Sequence, residues 1–138
     1  MPEAESEEET PIRVAIALVG LNSRYLIRRR PPGSIMAGVW EFPGGKCEPG
    51  ETPQECVVRE TEEETGLIVE IVEACGSVRY RYPHGFVELH YFECRTVDPD
   101  AEPPDDSGFL WVEARTLGEY HFPRANEAII EHLIRRHA

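Results

Sequence analysis

The chain has 138 residues and a formal net charge of −12, from 26 acidic and 14 basic side chains. Its length predicts one domain with an apolar core of its own. The acidic balance argues against a long nucleic-acid partner, which needs a basic face. No apolar run approaches the length of a membrane span, and the four cysteines lack the spacing of a zinc site or a disulfide framework. We therefore expect a cytoplasmic protein, monomeric or homodimeric, with no membrane partner.

The first residues differ in composition from the rest. Residues 1–11 contain five glutamates and two prolines but no Lys or Arg. Such a segment buries too little apolar surface to fold, so we predict a disordered acidic tail at 1–11 and a domain at 12–138. Without those five acids the chain has 21 acids against 14 bases, a net charge of −7. A small polyphosphate would bind this acidic domain through a bridging metal ion.

Hydrophobic patterning divides the domain into short strands and two helices. Residues 13–21 are rich in Val, Ile, Ala and Leu and predict a buried strand. Pro43-Gly44-Gly45 predicts a tight bend. The predicted strands are residues 13–21, 25–29, 40–42, 68–74, 77–82, 86–96 and 109–112, with an acidic loop at 98–107.

A helix is predicted over Pro53–Thr65 from the signals at its two ends. Thr52 and Glu55 match a capping box at the start, and proline suits the first helical position. Gly66 suits the left-handed position just past the last turn.

A second helix is predicted near the C-terminus. It begins at Ala125 or Asn126 and ends at His137, and the side chain of Asn126 suits an N-cap. Four aliphatic side chains form its apolar stripe: Ile129, Ile130, Leu133 and Ile134.

Three carboxylates share one face of the first predicted helix. Glu60, Glu63 and Glu64 are spaced i, i+3 and i+4, which places them within one turn of each other. Like charges at this spacing repel one another, and a hard divalent cation such as Mg²⁺ would offset the repulsion. A solvated acidic helix face is the alternative, and it is the commoner origin of such a pattern.

The residues around this face favour the metal interpretation. Gly44 and Gly45 precede the helix and let backbone groups approach a metal ion or a phosphate closely. Arg59 lies beside Glu60, and its guanidinium can hold Glu51 through two hydrogen bonds and so orient the carboxylates.

Together these residues resemble the Nudix box. The box reads Gly, five residues, Glu, seven residues, Arg-Glu, an aliphatic residue, any residue, Glu-Glu, any residue, Gly and an aliphatic residue. Thr61 stands where the family has Leu, Val or Ile to pack the helix onto the sheet, and we expect this departure to affect packing rather than chemistry. Eight positions match over 23 residues: Gly45, Glu51, Arg59, Glu60, Glu63, Glu64, Gly66 and Leu67.

The Nudix resemblance implies an α/β fold, an α/β/α sandwich with a mixed, curved β-sheet between helices. In the family's reaction, water attacks a phosphorus of a nucleoside diphosphate derivative. Which acid takes the proton differs among members, so the general base stays open. The resemblance implies catalytic roles for Glu51, Arg59, Glu60, Glu63 and Glu64. The implied ligands of Mg²⁺, or of Mn²⁺ in its place, are Glu60, Glu63, Glu64 and the backbone of Gly44 or Gly45, with Asp105 as a further candidate whose alternative is a solvated loop acid.

The resemblance extends to the MutT-like branch, whose members hydrolyse 8-oxo-dGTP to the monophosphate and pyrophosphate. It spans nearly all of residues 12–137. Asn126 would read the purine, since an amide offers a donor and an acceptor together; helix capping is its alternative. Phe42 would form an apolar or stacking surface against the base, and its alternative role is that of a core aromatic residue. The other implied substrate contacts are Arg29 and Arg30.

One departure bears on the substrate. After Tyr82-Pro83 the chain has His84-Gly85 where MutT-like members have Asp-Arg near the base. Gly85 cannot cover a base as an arginine does, and His84 is the candidate to take over part of that contact. CTP, dCTP or a modified pyrimidine triphosphate therefore stays open as the substrate. A catalytically silent nucleotide-binding module is a further alternative, which the intact carboxylates disfavour.

Overall fold

The computed structural model of the protein describes residues 9–138. The predicted tail, residues 1–11, therefore lies mostly outside the described residues. Its described part includes Glu9, which forms an ion pair with Arg81. None of the helices in the described range has the length and apolarity needed to cross a membrane.

The described residues form a mixed sheet and two α-helices. The strands are β1 Ile12–Leu21, β2 Arg24–Arg29, β3 Trp40–Glu41, β4 Gly44–Lys46, β5 Val69–Tyr82, β6 Gly85–Thr96 and β7 Leu110–Glu113, and the helices are α1 Pro53–Thr65 and α2 Glu127–Arg136. The sheet has the order β3-β2-β1-β6-β5, with β4 beside β1 and β7 beside β2. β1 pairs in parallel with β6 and antiparallel with β2 and β4, so β1 links β4, which carries Gly44 and Gly45, to the centre of the sheet.

A helix covers each face of this sheet. Successive residues of β1 point to opposite faces. Leu18 packs in the same buried cluster as Leu133 of α2, whereas Val19 packs in the cluster that contains Val57 of α1. The arrangement confirms the predicted α/β/α sandwich.

Helix α1 has the predicted bounds. Thr52 Oγ1 accepts a hydrogen bond from Glu55 N at 3.1 Å, and Glu55 Oε1 accepts one from Thr52 N at 2.9 Å. Gly66 adopts the left-handed conformation, with φ of 76°, and its N–H donates to the carbonyl of Glu62. These caps satisfy backbone groups that the ends of a helix leave unpaired. The residues from which the helix is predicted therefore also form its two caps.

Strand β5 is continuous where the sequence predicts two strands, at 68–74 and 77–82. Its pairing with β6 is irregular between Ala74 and Ser77. Gly76 lies in this irregularity with a φ of 92°, a conformation that glycine adopts without strain. Gly76 lies between the two predicted strands, and it forms a bulge within one continuous strand.

The prediction that Asn126 caps α2 is wrong. Arg124–Asn126 forms a short 3-10 turn before the helix. Asn126 has helical angles, φ −89° and ψ −2°, and its side chain makes no capping hydrogen bond, because capping requires an extended backbone at that position. Its Nδ2 instead donates to Tyr91 Oη at 2.6 Å. The side-chain amide of Asn126 therefore faces the sheet.

Thr61 packs α1 against the sheet, but its hydroxyl is unpaired. Its side chain is fully buried, and Oγ1 has no hydrogen-bond partner within residues 9–138. We expect Thr61→Val to raise the free energy of unfolding by about 1 kcal/mol, because leaving a buried polar group unpaired costs about 1–3 kcal/mol. Urea denaturation of the wild type and the variant measures this difference.

Thr65→Val is the matched control on the same helix. The Thr65 hydroxyl is also buried, but it donates to Thr61 O at 2.7 Å and accepts from Leu67 N at 3.0 Å. Its removal should lower the free energy of unfolding by about 1–2 kcal/mol. A destabilised Thr61→Val variant would mean that the Thr61 hydroxyl has a partner in solution.

Candidate active site

Two glycines allow β4 to lie close to both β1 and α1. Gly45 pairs with Ala15 and Gly44 with Ile16. A Cβ on Gly45 would lie 2.3 Å from Cδ of Glu60, and a Cβ on Gly44 would lie 2.2 Å from the carbonyl oxygen of Ala15. At Gly44 only glycine leaves room for the backbone of β1, and at Gly45 any Cβ would displace the carboxylate of Glu60. The carboxylate of Glu60 consequently lies directly against the backbone of β4.

Arg59 holds three carboxylates beside these glycines. Its Nε and Nη2 pair with both oxygens of Glu51, at 2.6 and 2.9 Å. Its Nη1 donates to Glu60 at 3.0 Å and to Glu63 at 3.1 Å. Hydrogen bonding from Arg59 lowers the pKa of Glu51 to about 2, and hydrogen bonding to Glu51 raises the pKa of Arg59. The bidentate pair expected from the spacing is present, and both partners stay charged at neutral pH.

Glu64 brings a further carboxylate to the glycine pair. It accepts hydrogen bonds from Gly44 N at 3.1 Å and from Arg28 Nη2 at 3.0 Å. Burial raises the pKa of Glu64, and the nearby carboxylates of Glu41 and Glu60 raise it further, although Gly44 and Arg28 oppose the shift. The carboxylates of Glu41, Glu60 and Glu64 are therefore close enough to repel one another, and a divalent cation would relieve this repulsion.

Arg28 and Glu41 complete this cluster, and neither is among the site residues predicted from the sequence. Arg28 Nε donates to Glu41 at 2.8 Å, and its Cζ lies 4.7 Å from the ring centre of Phe109. The overlooked signal is strand alternation, since Arg28 follows Leu26 by two residues and shares its face of β2. Leu26 is buried in the cluster on the α1 side of the sheet, so Arg28 points towards the carboxylates.

The two arginines predicted to contact substrate differ in placement. Arg30 donates to Glu41 Oε1 and to the carbonyl of Ile35, each at 2.7 Å, so it joins the carboxylate network through Glu41. Arg29 is exposed, and its side chain forms no hydrogen bond or ion pair within residues 9–138. The structure therefore brings Arg30, and not Arg29, to the cluster.

The predicted base-binding residues lie on the α2 side of the sheet. Phe42 is buried and stacks on Phe122, with ring centres 4.9 Å apart. Both rings belong to the same buried cluster as Ala125, which precedes Asn126. Asn126 is itself only 6% exposed. The placement of Phe42 agrees with a core aromatic role.

His84 and Asp105 lie outside these networks. His84 is exposed and stacks on Tyr82, with ring centres 5.0 Å apart and an interplanar angle of 9°. Asp105 is exposed in the 3-10 segment Asp105–Ser107 and forms no hydrogen bond or ion pair with another described residue. The structure does not bring Asp105 into contact with the carboxylates of α1, which agrees with a solvated loop acid.

The carboxylates of α1 suit a hard divalent cation by their chemistry. Within residues 9–138 no three His, Cys, Asp or Glu side chains are grouped as an ion would need, and arginines pair with Glu60 and Glu64. The donors are carboxylate oxygens, the ligand type that Mg²⁺ prefers, and one carboxylate lies against a glycine backbone. Glu63 is the least enclosed of the three, with 59% of its side chain exposed.

Comparison with known proteins identifies the family. Residues 14–132 match the family described as NUDIX domain. The chain belongs to the Nudix family. An 8-oxo-dGTP diphosphatase of Escherichia coli K12 is 30% identical over 125 residues, which are 90% of this chain and 97% of that relative. A CTP pyrophosphohydrolase of the same organism is 27% identical over 120 residues, which are 87% of this chain and 89% of that relative.

The fold of this Nudix hydrolase also matches solved structures. The solution structure of the Escherichia coli ORF135 protein has a TM-score of 0.78 and 25% identity, and the match covers 96% of this chain and 94% of that one. The eight matched positions of the Nudix box therefore occur in the fold that the resemblance implies.

Proposed function

We propose that this Nudix hydrolase cleaves 8-oxo-dGTP to 8-oxo-dGMP and pyrophosphate in a Mg²⁺-dependent reaction. The observation that carries the proposal is the placement of Glu60 and Glu64 against the glycines of β4, where Arg59 and Arg28 hold them. The 8-oxo-dGTP diphosphatase to which the chain is 30% identical is matched over 97% of its own length. Removal of this nucleotide would keep an oxidised base out of DNA.

The cation would be held by carboxylates of α1 and the backbone of β4. The proposed ligands are Glu60, Glu63, Glu64 and Gly44 or Gly45. When bound, Mg²⁺ or Mn²⁺ lowers the pKa of a water molecule and neutralises charge on the leaving pyrophosphate. The bidentate pair between Arg59 and Glu51 keeps the guanidinium fixed beside these carboxylates. Which acid accepts the proton from water remains open among them.

The purine would be read by Asn126 on the opposite side of the sheet. Because Asn126 does not cap α2, its amide keeps a donor and an acceptor for a ligand. Arg29 and His84 are exposed and would contact the nucleotide from its solvent side. Arg30 would affect the nucleotide site indirectly, through its ion pair with Glu41. Phe42 would support the base-binding residues from within the core.

A pyrimidine triphosphate is the second candidate substrate. His84-Gly85 replaces the residues that accompany the base in MutT-like proteins, and the CTP pyrophosphohydrolase is matched over 89% of its length. A silent binding module is less well supported, because such a protein has no need for a paired Glu51 and Arg59 beside intact carboxylates.

Metal removal tests the proposed chemistry. We expect 8-oxo-dGTP to yield 8-oxo-dGMP and pyrophosphate in Mg²⁺, quantified by chromatography. EDTA should lower turnover by at least about a hundredfold, because the cation supplies several kcal/mol of charge stabilisation, and added Mg²⁺ or Mn²⁺ should restore it. Turnover that persists in EDTA, or release of orthophosphate in place of pyrophosphate, would contradict the proposal.

A further inference from the structure

Tyr91 is a buried tyrosine of β6 whose hydroxyl contacts two groups at the start of α2. Its side chain is 2% exposed. The hydroxyl donates to the carbonyl oxygen of Ala125 at 3.3 Å, and Asn126 Nδ2 donates to it at 2.6 Å. These contacts cross 34 and 35 residues of chain. Tyr91 therefore links the centre of the sheet to the residue proposed to read the base.

The number of available protons determines which group donates in each of these hydrogen bonds. A tyrosine hydroxyl has one proton to donate, and a carbonyl oxygen can only accept. With Nδ2 of Asn126 facing Tyr91, both hydrogen bonds form together. With the amide reversed, Oδ1 and the carbonyl of Ala125 would compete for the single proton, and one buried hydrogen bond would be lost. The first orientation is therefore the more stable one.

The hydroxyl keeps this proton across the physiological range. Burial raises the pKa of Tyr91 to about 12, with donation from Asn126 opposing the shift. No capping hydrogen bond competes for the amide. The Oδ1 atom accepts no hydrogen bond within residues 9–138, and it is not among the fully buried atoms that lack a partner. It is therefore not fully buried, and it has no partner among the described residues.

We propose that Tyr91 is a positioning residue that fixes the amide of Asn126 so that Oδ1 and the second N–H face the base. This inference rests on the proposed function of Asn126. An acceptor at this position requires an N–H on the ligand. The N7 atom of 8-oxoguanine carries a hydrogen, whereas N7 of guanine carries a lone pair. By disfavouring the reversed orientation of the Asn126 amide, Tyr91 thus favours 8-oxoguanine over guanine.

Tyr91→Phe tests this proposal because it removes the hydroxyl and keeps the ring. We expect the ratio of kcat/KM for 8-oxo-dGTP to that for dGTP to fall about tenfold, equivalent to about 1.4 kcal/mol, within the range of one hydrogen bond. The change should appear mainly in KM, with kcat for 8-oxo-dGTP nearly unchanged. Tyr80→Phe is the matched control, since Tyr80 packs against the same core and its hydroxyl forms no hydrogen bond within residues 9–138.

A double substitution separates positioning from a general effect on the pocket. In an Asn126→Ala background, Tyr91→Phe should leave the selectivity ratio unchanged, because the amide it orients is gone. An equal loss of selectivity in both backgrounds would overturn the proposal, and so would full selectivity in the single Tyr91→Phe variant.

The ligand-free protein provides a readout that does not depend on the substrate. In ¹H–¹⁵N spectra, the side-chain amide of Asn126 is assigned by its loss in Asn126→Ala. We expect Tyr91→Phe to move the bonded Nδ2 proton upfield and to speed its exchange with solvent. Unchanged Asn126 signals in a folded Tyr91→Phe variant would overturn the proposal. A wild type that does not prefer 8-oxo-dGTP would contradict the proposed function instead, and these spectra would then decide the role of Tyr91.

Discussion

Glu64→Gln should lower kcat for the hydrolysis reaction by at least about a hundredfold, equivalent to about 2.7 kcal/mol of activation free energy. The change replaces a charged oxygen ligand with a neutral amide of the same shape. The amide would place hydrogens towards Gly44 N or Arg28, which are both donors to Glu64. Steady-state kinetics at saturating Mg²⁺ measures the loss.

The fold should survive this substitution. Burial raises the pKa of Glu64, so loss of its charge removes a desolvation cost that partly offsets the lost hydrogen bonds. Glu62→Gln is the matched control, because Glu62 is an exposed glutamate of the same helix, and its rate should stay at the wild-type level. Glu63→Gln should also lower kcat strongly. Near-normal rates in both Glu63→Gln and Glu64→Gln would exclude these carboxylates as metal ligands.

Gly45→Ala should lower kcat/KM by at least about tenfold, about 1.4 kcal/mol, while the free energy of unfolding changes by less than about 1 kcal/mol. The new Cβ would lie 2.3 Å from the carboxyl carbon of Glu60. That carboxylate ends a flexible side chain, so it can rotate away from β4 without moving the backbone. The fold is retained, but the proposed ligand is displaced. Kinetics and urea denaturation on the same preparation measure the two effects.

Gly44→Ala should instead have its main effect on the free energy of unfolding. Its Cβ would lie 2.2 Å from the carbonyl oxygen of Ala15, a backbone atom that cannot rotate away, so we expect a loss of about 2–3 kcal/mol of stability. In a Glu60→Ala background, Gly45→Ala should cause no further loss of activity. A further tenfold loss in that background would show that Gly45 acts through something other than Glu60.

Local sequence signals predict helix α1 well, and the resemblance to the Nudix family implies the sandwich. The capping residues Thr52, Glu55 and Gly66 lie within or next to the helix, so their effect depends on few distant contacts. The alternation of β1 residues between two faces likewise follows from strand geometry. Such features can be predicted because the interacting groups are close in sequence.

The contacts that the sequence does not predict join residues that are far apart in the chain. Arg28 contacts Glu64 across 36 residues, and Asn126 contacts Tyr91 across 35. No local pattern encodes either pair. Asn126 was predicted to cap α2 because its residue type suits that position, but the preceding 3-10 turn gives it a helical backbone and turns its amide to the sheet. Tertiary contact here overrides local preference.

The most direct test of the central claim is kcat/KM of the wild-type protein at fixed Mg²⁺ for 8-oxo-dGTP, dGTP, CTP, dCTP and 5-methyl-dCTP. We expect 8-oxo-dGTP to exceed every other nucleotide by at least about a hundredfold, because a site that hydrogen-bonds a particular N–H rejects analogues that lack it. Preference for a pyrimidine triphosphate would contradict the claim and assign the chain to the second candidate function. Absence of hydrolysis with all five nucleotides would contradict both candidates.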